Sequence, residues 1–176
     1  MAVVIDATVG GASSNSFATL TEADTYMEGR LNATLWDSAT DDECNRALVE
    51  ATREISALSY VGKRADDTQA LSWPRDFAPN PDDPNYDYFL TTEIPDRVKW
   101  ATEELAFQFI KAGTVDVAAL ESSAGIVREK VDVIETEYAA HIRAKGMDRY
   151  PRVMAWLDPL LDGAVAGGCV VPVVRG

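Results

Sequence analysis

Between Pro95 and Gly113, the residues Val98, Ala101, Leu105 and Phe109, together with Ala106 and Ile110, recur at three- and four-residue steps. That spacing places them on one wide face of an α-helix. Pro95 suits a first helical position and Gly113 a stop. A helix apolar over so broad a face needs cover on more than one side, so the segment is predicted to be the central helix of a helical core.

Three further helices are predicted to supply that cover. One spans about residues 21 to 31, with Thr21 as cap, Asp24 at the acidic place of a capping box, and an apolar stripe of Ala23, Tyr26, Met27 and Leu31. A second is capped by Ser38 or Thr40, with Asp41, Asp42 and Glu43 in its first turn, where carboxylates favour the helix dipole. Its buried face is Cys44, Ala47, Leu48, Ala51, Ile55 and Leu58, its outer face Arg46, Glu50, Arg53 and Glu54, and Gly62 ends it. The last starts near Pro151 and buries Val153, Met154, Leu157 and Leu161 before Gly163.

Residues 126 to 138 change to a period near two, which predicts a strand or hairpin. Residues 63 to 93 carry no helical period, and Pro74, Pro79, Pro81 and Pro84 interrupt them. A connection this long has a job in a compact domain, which makes it a candidate contact surface. Trp36, in the loop before the second helix, and Trp73, Pro74 and Arg75 in this one are expected structural anchors, Trp73 pinning the loop to the helices. The fold class is therefore mainly α: a small helical bundle with a short β-strand or hairpin and extended N- and C-terminal arms. It is predicted to be one domain over residues 1–176, with an extended arm at 1–17, a helical core at 18–163 that includes the loop 63–93, and a C-terminal arm at 164–176.

The chain carries 16 Lys plus Arg against 29 Asp plus Glu, for a formal charge of −13. Residues 1–104 hold 8 of the bases and 20 of the acids, so the excess is N-terminal. Affinity for nucleic acid comes largely from Lys and Arg displacing counterions, and a field of this sign opposes it. Cys44 and Cys169 lie far apart in sequence and belong to no zinc-type cluster. The N-terminus lacks a basic and apolar leader and there is no run of 18 apolar residues, so a soluble, intracellular protein with no membrane partner is expected.

Nucleophilic catalysis needs a base beside a Ser, Cys or Thr, and the single histidine, His141, sits among Arg143, Lys145 and Arg149 in a polar stretch. Phosphate-cradling glycine motifs are missing. Acid pairs such as Asp66–Asp67, Asp82–Asp83 and Glu103–Glu104 lack the alternating spacing of a calcium loop and are expected to be solvated. The chain is therefore expected to be no enzyme, with no catalytic residue, no cofactor and no metal. The tail Cys169, Val170, Val171, Pro172, Val173, Val174 and Arg175 follows a glycine-rich link and is expected to bind a partner as an exposed apolar arm. Pro172 disfavours a central strand there.

Several short segments occur in a telling order: Asn15-Ser16-Phe17, Thr21-Glu22-Ala23-Asp24-Thr25-Tyr26, Trp36, Ala51-Thr52-Arg53-Glu54-Ile55 and Gly62-Lys63-Arg64. Downstream come Gln69-Ala70-Leu71-Ser72-Trp73-Pro74-Arg75, Ile94-Pro95, Glu103-Glu104-Leu105-Ala106 and Leu157-Asp158-Pro159-Leu160-Leu161. This pattern resembles a tailed-phage family labelled DnaT-like single-stranded-DNA-binding protein, whose members resemble head–tail adaptor proteins of the virion neck. Its most specific element is the segment from Gln69 to Arg75.

The resemblance implies a structural virion protein, assembled in the host cytoplasm and placed in the neck. It would form a homo-oligomeric ring of about twelve subunits under the portal, with the tail arm on the portal protein and a further neck or tail protein below. Double-stranded DNA would pass through the lumen during packaging and ejection without specific binding. The alternative is a single-stranded-DNA-binding replication protein. It requires a groove of cations and stacking aromatics, which no stretch of the sequence spells out.

Overall fold

A computed structural model describes residues 3–85, 87–113 and 146–163, and the backbone of 128–131 and 134–137. Its α-helices are α1 (Leu20–Glu28), α2 (Thr34–Asp37), α3 (Asp41–Ser56), α4 (Asp96–Ala112) and α5 (Pro151–Leu157). Two small antiparallel ladders accompany them: β1 (Lys63–Arg64) with β2 (Arg75–Asp76), and β3 (Arg128–Val131) with β4 (Ile134–Glu137). The fold is mainly α, and among the described residues no helix is long and apolar enough to cross a membrane.

α4 is the centre, packed against α3 on one side and α5 on another, with α1 and α2 across it. Val98, Ala101, Leu105, Ala106 and Phe109 are buried, and they meet Leu48, Ala51 and Ile55 of α3 and Val153 and Leu157 of α5 in one core. Gly113 closes α4 in the left-handed conformation expected of a helix stop, while Pro95 is the N-cap and not the first helical residue. Thr40 caps α3 in a reciprocal capping box with Glu43.

The cap of α1 is Thr19, two residues earlier than expected, because Glu22 stands three residues on and reaches back to the Thr19 backbone. Gly29 ends α1, which leaves Leu31 outside the stripe and exposed. α3 ends at Ser56 and not at Gly62, whose left-handed φ of 80° serves the turn into β1. A Cβ there would lie 2.4 Å from the Asp76 carbonyl oxygen, so only glycine fits. Met154 of α5 and Leu161 beyond its end are half-buried, and Leu160 takes the buried place.

The N-terminal segment is docked on the helices. The Val3 amide donates to Asp42 (2.8 Å), the Phe17 amide to Thr52 (3.2 Å), and Asp6 and Asn15 clasp each other through backbone and side chain. The segment 63–93 is likewise built rather than loose. Trp73 is 1% exposed and meets Tyr60 and Phe89 edge to face at 5.6 and 5.7 Å. Pro74 is buried after a cis peptide bond. The Arg75 guanidinium donates to the carbonyls of Tyr60, Val61, Gly62 and Ser72, and Gln69 ties Leu71 and Pro74. Trp36 is buried and donates its indole N–H to Asp24 (2.9 Å).

Candidate nucleic-acid interface

One open groove gathers aromatic, cationic and acidic side chains from several helices. Its cavity of about 550 Å³ runs between α1 and α4, with α5 at one end. α1 and the turn after it contribute Glu22, Tyr26 and Arg30, α4 contributes Asp96, Lys99, Trp100 and Glu103, and α5 contributes Arg152. The placement follows from helical spacing: Lys99, Trp100 and Glu103 project from one side of α4, three and four residues apart. Residues about 70 positions apart in sequence thereby share one wall, as the Tyr26–Glu104 hydrogen bond illustrates with its separation of 78.

Tyr26 and Trp100 are the aromatic rings of the groove lining, and Trp156 packs against both. Trp156 of α5 meets Tyr26 edge-on at 6.2 Å and Trp100 at a tilt at 6.3 Å. Trp100 is 42% exposed, although it is a large apolar side chain on a helix otherwise embedded in the core. The Arg152 guanidinium lies 5.4 Å from the Trp156 ring centre, a cation–π contact.

The charges are held in a definite order. Glu104 is 2% exposed and accepts two bonds from Arg30 (both 2.8 Å), one from the Tyr26 hydroxyl (3.0 Å) and one from Gln108 (2.8 Å). Burial alone would raise its pKa, but the bonds from Arg30, Gln108 and Tyr26 outweigh burial and hold it below the ordinary glutamate value. Burial and the Glu104 charge push the Tyr26 hydroxyl upward, so it stays protonated and donates. Lys99 pairs with Glu22 at 2.6 Å. Arg152, 3.7 Å from Glu104 and with a side chain 58% exposed, is the cation most open to an incoming anion.

Glu103 behaves differently. It is 3% exposed and its Oε2 has no hydrogen-bond partner, while burial and then the charge of Glu22 raise its pKa to about 8 against the opposing pull of Lys99. Both members of the Glu103–Glu104 pair are thus buried, contrary to the solvated surface expected of adjacent acids. Glu104 is turned into its cluster of donors and Glu103 lies at the inner wall of the groove, so little of either side chain is exposed.

A second aromatic pair stands apart from the groove. Phe77, 56% exposed at a left-handed φ of 57°, meets Tyr88 at 6.0 Å, with the Lys63 ammonium 5.2 Å from its ring. Among the described residues no three His, Cys, Asp or Glu side chains converge as metal ligands would. Trp36, Trp73, Pro74 and Arg75 are placed in the scaffold and not in the groove. The tail Cys169, Val170, Val171, Pro172, Val173, Val174 and Arg175 lies outside the described residues, as does His141. Sequence reading missed Tyr26, Arg30, Trp100, Arg152 and Trp156 as a group. Trp100, a large aromatic set beside the apolar face of α4, is the signal in the sequence that could have found them.

Compared with known families, the whole chain, residues 1–176, matches the one described as "Putative DnaT-like ssDNA binding protein". No curated protein and no solved structure matches it. The family match corrects the head–tail adaptor expectation. With it fall the virion neck role, the dodecameric ring, the portal and tail partners, and duplex DNA passing without specific binding. The match points to single-stranded DNA, which was the alternative. The expectation failed because it treated −13 as one repelling field. Many of those acids are engaged locally: Glu22 and Glu43 in capping boxes, Asp6 and Asp66 in turns, Asp82 with Arg97, Glu104 with Arg30. A sum over the chain does not describe the potential in one groove.

Proposed function

Because the chain belongs to the DnaT-like ssDNA binding protein family, we propose that it binds single-stranded DNA in the groove between α1 and α4, acting by binding and not by catalysis. The observation that carries this reading is the lining of one open cavity by Tyr26, Trp100 and the exposed Arg152, with Trp156 in contact with all three. Unpaired strands are held by bases stacked on aromatic side chains and phosphates drawn to cations, a combination that tolerates any sequence. Duplex DNA keeps its base faces inside the stack and offers Trp100 nothing to stack on.

The balance of the two forces is set by the ion pairs. Arg30 and Lys99 already have carboxylate partners, so a strand gains few counterion releases and binding rests mainly on stacking. Its salt dependence is therefore shallow, a slope of roughly −1 to −2 in log affinity against log salt, at about −0.7 per phosphate neutralised on a single strand. Fluorescence anisotropy of a labelled 20-mer, competed with the same sequence as duplex, tests the reading. Expected are preference for the single strand and a loss of roughly tenfold on Trp100→Ala, since each stacked base contributes about 1–3 kcal/mol. Equal affinity for both forms, or no binding at low salt, overturns it.

A further inference from the structure

We infer that Glu103 is the base-edge contact of this groove: an unpaired nucleobase laid on Trp100 turns its Watson–Crick edge to the Glu103 carboxyl. The inference rests on the single-stranded-DNA reading and adds what part of the nucleotide the groove reads. Trp100 and Glu103 are three residues apart on α4, so ring and carboxyl share one face of the helix and both line the cavity. Glu103 is 3% exposed and its Oε2 lacks any hydrogen-bond partner, whereas the adjacent Glu104 takes four bonds from Arg30, Tyr26 and Gln108. A buried polar atom left without a partner is rare in a folded protein. At the wall of a cavity flanked by an exposed indole, an arriving base edge supplies the missing partner, as in sites that stack a base and hydrogen-bond its edge.

The charge state of Glu103 decides which edges it accepts. The charged groups around it are Glu22 from α1, Asp96 and Lys99 from α4, Arg30 after α1 and Arg152 from α5. Burial and Glu22 keep the carboxyl neutral at pH 7, with one O–H donor and one carbonyl acceptor side by side. All four bases offer a donor next to an acceptor on that edge, so the neutral acid pairs with each of them and adds affinity without selecting a sequence. Ionised, it has two acceptors. These match the N1–H and N2–H of guanine and oppose a lone pair on cytosine, adenine and thymine.

The test uses the full chain with d(C)12, d(T)12, d(A)12, d(TTG)4 and an abasic 12-mer carrying the same phosphates, at pH 6.5 and pH 9. At pH 6.5 the base-bearing strands should bind alike and the abasic strand about tenfold more weakly. Glu103→Leu should lose about tenfold on base-bearing strands and nothing on the abasic one. Glu103→Gln, which keeps a donor and an acceptor, should bind like the wild type at pH 6.5. The wild type should weaken on d(C)12, d(T)12 and d(A)12 at pH 9 while holding d(TTG)4, and Glu103→Gln should show no such change. Should Glu103→Leu not fold, that pH contrast decides. Strands that bind the wild type and lose affinity with Trp100→Ala, but bind equally to Glu103→Leu or show no pH contrast between wild type and Glu103→Gln, overturn the inference alone. A wild type that binds no strand overturns the parent reading.

Discussion

Replacing Trp73 by alanine tests whether the segment between α3 and α4 is part of the fold or merely attached to it. Trp73 is 1% exposed and contacts two rings edge to face, Tyr60 at 5.6 Å and Phe89 at 5.7 Å. Truncating a buried tryptophan costs about 3–5 kcal/mol, from lost transfer free energy and the cavity left behind. Each edge-to-face pair adds about 0.5–1.5 kcal/mol beyond area. The cavity would open beside Tyr60, whose hydroxyl bonds Ile55 at 2.9 Å, so the damage reaches α3 and cannot be confined to the surface. For a chain of this size about 1 kcal/mol moves the melting temperature by roughly 2–4 °C, so Trp73→Ala should lower it by about 10 °C. Urea and thermal unfolding followed by circular dichroism measure both quantities. A loss under about 1 kcal/mol would show that the segment is an appendage and refute the reasoning.

Three other consequences are open to measurement. Arg30→Ala leaves the Glu104 carboxylate buried without its bidentate partner and should cost about 3–5 kcal/mol in urea unfolding, since a buried charge stripped of its partner is poorly tolerated. Glu103 titrates near 8 in the fold against 4.5 for an ordinary glutamate, so the native state holds its proton more tightly than the unfolded one. Stability should fall between about pH 4.5 and 8, and Glu103→Gln should flatten that part of the unfolding profile. Thr40→Ala removes the cap of α3 and should cost about 1 kcal/mol in the same assay, with Thr40→Ser close to neutral.

The helical core was legible because α3 and α4 carry unbroken three- and four-residue apolar spacing and strong end signals at Thr40 and Gly113. The start of α1 was misplaced because two Thr-to-acid pairs overlap, Thr19–Glu22 and Thr21–Asp24. The longer glutamate at the third helical position reaches back to the cap, and so the first pair wins. Trp73, Pro74 and Arg75 could be singled out in sequence, but the four carbonyls that Arg75 gathers could not, since a side chain folding back on its own loop leaves no periodic trace. The groove was least legible of all. Its rings and cations come from α1, the turn after it, α4 and α5, and Glu103 and Glu104 look in sequence like any exposed acid pair.

Photocrosslinking measures the central claim most directly. A d(T)15 carrying one photoreactive 5-bromodeoxyuridine is irradiated in complex with the full chain and the joined peptides are mapped by mass spectrometry. Stacking on the groove aromatics predicts adducts at Trp100, Trp156 or Tyr26, lost on competition with unlabelled strand and on Trp100→Ala. Adducts confined to Phe77 and Tyr88, or scattered over the surface without competition, would contradict it.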